Sequence, residues 1–141
     1  MNDAHPAAGG FPRWLKWPLI LLALAGVGAF LWQALPRGAY PTDLSRVGAG
    51  RPVLVLAHDT NYVGSATVME LMNGIRGDYA ERVDFLVAHL AMEDAQAFAA
   101  RHAATDGTVL LFAADGRRVG VLHTPQSADE LHRALAQAFG P

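Results

Sequence analysis

The stretch Thr108-Val-Leu-Leu-Phe112, followed by Ala113-Ala-Asp-Gly116 and Arg117-Arg-Val-Gly-Val-Leu122, reads as two strands joined by a tight turn. The apolar, partly β-branched runs favour strand, and Asp115-Gly116 between them is a strong short-range hairpin signal. Downstream, Ser127-Ala-Asp-Glu130 has the spacing of a capping box, so a helix is expected to run from there to Phe139, stopped by Gly140-Pro141. Upstream, Pro52–Ala57 (PVLVLA) and Val83–Leu90 (VDFLVAHL) are short apolar runs read as buried strands. Between them, Val68, Met69, Met72, Ile75 and Tyr79 recur at helical spacing across Ser65–Tyr79. Gly74 and Gly77 weaken that helix by roughly 1 kcal/mol each against Ala. Met92–Ala103 is Ala-rich with Glu93 and Asp94 in its first turn, where acidic groups suit the helix dipole. The order is βαβαββα: an α/β fold with a mixed sheet flanked by helices.

Ahead of this domain (51–141) stand a tail (1–13), an apolar segment (14–35) and a Pro/Gly-containing linker (36–50). Trp14–Leu35 carries no charge between Lys16 and Arg37, and twenty residues at roughly 1.5 Å rise cover a ~30 Å hydrocarbon core. Trp14, Trp17 and Trp32 stand near its ends, where amphipathic rings favour the headgroups, and Pro18 is placed in the first helical turn. A single-pass transmembrane helix is therefore expected, with residues 14–35 partnering the lipid bilayer. A cleaved signal peptide is the alternative, with Val27-Gly28-Ala29 as a small-residue site, but apolar Phe30-Leu31-Trp32 follows directly. The short leading tail favours an N-terminus inside and a domain on the periplasmic side of the inner membrane. A net charge of −2 over 141 residues offers no basic field for nucleic acid, which is not expected as a partner.

There is no cysteine, so no thiolate is present for nucleophilic, redox or metal chemistry. Of the six histidines, His58-Asp59 with His123 is the set weighed as a candidate metal or acid–base cluster, although no ligand spacing such as H-x-x-x-H supports it. His89 reads as a strand-end residue, and His102 and His132 as solvated helix residues; His5 falls in the tail. Ser65 beside His58 sketches a nucleophile and base, although a helix-capping serine accounts for it better. No catalytic residue and no cofactor are assigned.

Taken in place, several of these stretches resemble the thioredoxin family. Arg51-Pro-Val-Leu-Val-Leu56 is similar to its first core strand, Tyr62-Val-Gly-Ser-Ala66 falls where the family has Trp-Cys-Gly-Pro-Cys, and Thr108–Phe112 with Asp115-Gly116 matches its T-[apolar]₃-F…D-G hairpin. Ser127–Leu131 resembles the start of its last helix. On that register both redox cysteines are replaced, by Val63 and Ala66; the loop proline, cis in the family, is Gly107; the buried acid of the first strand is Ala57. The resemblance implies a thioredoxin-like scaffold with no thiol–disulfide exchange, which needs a thiolate to attack sulfur. It also implies recognition of a protein or peptide beside Thr105, Asp106, Gly107 and Thr108, in envelope protein maturation or assembly. Glycine in place of proline is expected to loosen that loop.

Overall fold

The computed structural model describes residues 12–34 and 38–141, and these divide into two units, the second running from Tyr40 to Pro141. Tail residues 1–11 with His5, and Leu35, Pro36 and Arg37 of the expected span and linker, lie outside the described residues.

In the first unit, helix α1 covers Arg13–Ala34. Its apolar stretch Trp14–Leu31 is long and apolar enough to cross a membrane, and none of that stretch is buried. The helix begins at Arg13, with Leu15 N–H donating to the Pro12 carbonyl, so Pro18 falls in the second turn. The Trp14 carbonyl therefore lacks its usual i+4 donor, a cost that a first-turn proline would not carry.

In the second unit, β1 (Val53–His58), α2 (Gly64–Tyr79), β2 (Asp84–His89), α3 (Glu93–His102), β3 (Thr108–Phe112), β4 (Arg118–His123) and α4 (Ala128–Phe139) follow one another. Every expected element is present, its ends shifted by one residue at most. The sheet order is β2-β1-β3-β4, with β1 and β2 parallel and the other pairs antiparallel. Because successive strand residues point to opposite faces, each central strand feeds two cores. Leu54, Leu56, Phe85, Val87, Val109 and Leu111 pack beneath α2 and α4, against Val68, Met72, Ile75, Leu131 and Leu135. Val53, Val55, Leu86, Leu110 and Phe112 pack on the other face beneath α3, against Ala95 and Phe98.

Part of the segment read as linker belongs to this unit. Tyr40 is buried in the first core, and the Pro41 carbonyl accepts from Val87 N–H on the outer edge of β2. Leu44 and Val47, around a short 3₁₀ turn, pack on the second core.

The hairpin forms on its signals. Gly116 adopts φ +87°, and the Asp115 carboxylate accepts from Arg117 N–H at 2.9 Å. At α4, Ser127 Oγ accepts from Glu130 N–H at 3.3 Å, while Glu130 Oε2 reaches back to Gln126 N–H at 2.9 Å. The reciprocal bond of the box thus lands one residue earlier than the ideal pattern.

Candidate functional site

β1 ends at His58 and the chain turns through Asp59–Tyr62 into α2, so the stretch Tyr62–Ala66 sits at a helix N-terminus. That terminus is not capped from its own sequence. The N-cap residue is Val63, which has no side-chain acceptor, and Ser65 is the second helical residue. The cap arrives from the loop before β3. Asp106 Oδ1 accepts from Asp59 N–H at 2.9 Å and Oδ2 from Ser65 N–H at 3.1 Å. The Ser65 hydroxyl also bonds this carboxylate. Partial burial works against ionisation of Asp106. The bond from the Ser65 side chain, those from the two backbone N–H groups and the nearby His58 outweigh it and hold the carboxyl below its ordinary range.

This arrangement fixes the protons. A carboxylate only accepts, so the Ser65 hydroxyl donates to Asp106. Ser65 Oγ then accepts from His58 Nδ1–H, 2.7 Å away. Serine is the middle of the chain His58–Ser65–Asp106. A nucleophilic serine needs histidine in the middle as its base, and needs to be reached; Ser65 is 0% exposed. The nucleophile sketch therefore fails, and so does the capping role for Ser65: its hydroxyl is a buried tie between β1 and the Asp106 loop.

Two glycines admit the loop. A Cβ on Gly64 would stand 3.1 Å from Asp106 Oδ2, so glycine lets the carboxylate reach the helix. Gly107 has φ +80°, its N–H donates to the Ala57 carbonyl at 3.0 Å, and its carbonyl accepts from Thr124 N–H at 3.0 Å. It is buried. The expectation of a loosened loop is thus corrected: glycine is held at both backbone groups in a conformation other residues resist. No cis peptide bond occurs among the described residues.

The two sets of residues singled out in the sequence meet here. Tyr62, Val63 and Gly64 on one side and Thr105 and Asp106 on the other, with Asp59, Leu90, Ala104 and Thr124, line an open groove of about 590 Å³. Val63 is 84% exposed and Tyr62 64%. Thr108 turns away from it: the residue is 1% exposed and its hydroxyl accepts from Thr105 N–H at 3.1 Å.

The proposed metal set does not assemble. His58 lies on the face of the sheet under α2, with Leu54 and Leu56. His123 is an exposed residue of β4 whose register partner is Thr108; it alternates with Leu122, which packs on the α2 side, so it faces the other way. Asp59 Oδ1 is occupied by Asn61 N–H and Nδ2 at 2.9 and 2.8 Å. Among the described residues no three His, Asp or Glu converge on a metal-sized site. His58 instead meets His89 across the parallel register, ring centroids 5.3 Å apart and nearly edge-to-face.

His102 and His132 are half-buried and make ring or hydrogen-bond contacts that the solvated reading did not include. His102 sits against Phe98 and Phe112, centroids at 4.8 and 5.0 Å. Burial, with Arg118 and Arg101 nearby, lowers its pKa. His132 Nδ1 is 2.8 Å from the Tyr79 hydroxyl.

No protein-family model matches this sequence, and no curated protein matches it significantly. Solved structures do match. They include Trxlp from Edwardsiella tarda (TM-score 0.57, 13% identity, 68% of this chain and 96% of that one). A thioredoxin-like protein from Clostridium perfringens matches with TM-score 0.63 and 12% identity over 70% and 79% of the two chains. Thioredoxin from Malassezia sympodialis matches with TM-score 0.60 and 15% identity over 74% and 94%. At these identities the likeness concerns the fold.

Proposed function

We propose that this chain, thioredoxin-like in fold and without a single thiol, is a single-pass membrane protein whose domain holds a contact surface for another protein near the bilayer. One observation carries the reading: the stretch at the position of the redox motif and the loop before β3 form one open groove, with Tyr62 and Val63 exposed on its lip and Asp59 and Asp106 held by hydrogen bonds in its wall. Exposed aromatic and aliphatic groups beside a rigid, hydrogen-bonded scaffold favour binding over reaction. The length and composition of α1 support the tether, and a tether raises local concentration enough to offset a weak interface. The fold resemblance supports a setting outside the cytoplasm, in envelope protein maturation or assembly.

A photo-reactive phenylalanine analogue at position 62 tests the reading in native membranes, with position 137 on the exposed side of α4 as control. A defined adduct at 62 and none at 137 is expected, with the chain retained in the membrane after alkaline extraction. Adducts at neither position, or equally at both, would refute the surface; release by alkali would refute the tether.

A further inference from the structure

We infer that the partner segment entering this groove carries a basic side chain beside an apolar one; this rests on the contact-surface reading and adds the partner's chemistry to it. Outside α1, the exposed large apolar residues among those described are Tyr62, Val63, Met92, Val119 and Val121. Two of these five stand together on the groove's lip, and the wall continues over Leu90 and Ala104. The fixed charges that line it have one sign. Asp59 and Asp106 are both there, and no Lys or Arg lines the groove.

Neither carboxylate is neutralised by a fixed cation. The ion pairs among the described residues are Arg51–Asp84 and Arg117–Asp115, both elsewhere. Asp59 and Asp106 accept hydrogen bonds only from neutral groups: Asn61, Ser65 and the Asp59 backbone. The one titratable base close by, His58, reaches Asp106 through the Ser65 hydroxyl and not directly. Hydrogen bonds orient these carboxylates without cancelling their charge, so the groove keeps a negative potential beside an apolar lip. A Lys or Arg flanking an apolar anchor complements both; an acidic segment meets repulsion, and a neutral one gains nothing from the charges.

The test uses the full chain in nanodiscs of neutral lipid and three dye-labelled octapeptides. These share a central Leu-Val pair and differ only in flanking residues: Lys, Gln or Glu. By fluorescence anisotropy the Lys peptide is expected to bind about tenfold tighter than the Gln peptide, with the Glu peptide weakest. Raising salt from about 50 to about 300 mM shortens the screening length and should reduce that advantage severalfold. Asp59→Asn, which can retain the turn with Asn61, should cut the ratio of Lys to Gln affinity about threefold. Tyr62→Ser should weaken all three peptides.

Equal binding of the Lys and Gln peptides, both lost with Tyr62→Ser, would overturn the basic-partner inference while the contact surface stands. Binding by none of the peptides, or binding indifferent to both substitutions, would overturn the surface together with the inference.

Discussion

Placing proline at position 107, where the thioredoxin family carries its loop proline, should damage this protein instead of completing it. Gly107 holds φ +80°, whereas a proline ring fixes φ near −65°. The residue cannot be accommodated without turning the peptide between Asp106 and Thr108. Moving a side-chain-bearing residue into the left-handed region costs about 1–2 kcal/mol, and a Cβ there would meet Thr124 Oγ1 at 3.0 Å. Proline further deletes the N–H that donates to the buried Ala57 carbonyl at 3.0 Å, which costs about 1–3 kcal/mol when the acceptor is left unpaired. Together Gly107→Pro should cost about 2–5 kcal/mol, against about 1–2 kcal/mol for Gly107→Ala. For a domain of this size the proline variant should melt roughly 10–30 °C lower. The fragment from Tyr40 to Pro141 suits the measurement, because both cores are built wholly from residues within it. Urea unfolding of wild type, Gly107→Ala and Gly107→Pro gives the three stabilities directly. A proline variant as stable as wild type would show that the loop switches readily to another backbone path, and would refute the pinned conformation derived above.

Asp106→Ala removes the only side-chain cap of α2 and leaves the Asp59 and Ser65 N–H groups without partners; a loss of about 2–3 kcal/mol is expected by urea unfolding, with Asp106→Asn intermediate. Because the folded carboxyl titrates below the ordinary 3.8, its contribution is present above that pH and lost as pH falls through the lower folded value; the alanine variant should lack this acid-side loss. His102 acts with the same sign in a higher pH window. Its folded pKa lies below 6.5, so the unfolded chain binds the proton first and stability should fall as pH drops below about 6.5. His102→Leu should flatten the slope of Tm between about pH 7 and pH 5 relative to wild type, and an unchanged slope would show that the ring is solvated after all.

The elements that local chemistry specifies were legible in the sequence. Asp115-Gly116 supplies a turn with the φ > 0 it needs, Ser127 and Glu130 mark a helix start, and the strands show as apolar runs because both their faces are buried. What escaped depends on residues distant in sequence. The cap of α2 comes from Asp106, 41 positions after Ser65, and nothing near Val63 announces it. His58 and His89 meet through the parallel β1–β2 register, which appears only once the sheet is assembled, and the separate antiparallel β3–β4 pairing sends His123 to the opposite face. His102 ends an Ala-rich helix that looks solvated, and only the docking of α3 brings its ring against Phe112. Gly107 is the instructive error: flexibility was inferred from the residue type, whereas the partners of its two backbone groups decide how mobile it is.

The carboxylate over the start of α2 also bears on any attempt to retrofit a redox enzyme here. A reactive thiol at a helix N-terminus owes its acidity to the positive end of the helix and to neighbouring cations. In this protein Asp106 already occupies that end and adds a full negative charge beside it. Cysteines installed at positions 63 and 66 would therefore meet a potential that favours the protonated thiol. They would inherit the geometry of an oxidoreductase with its electrostatics reversed, and the graft would be sluggish until the carboxylate was removed as well.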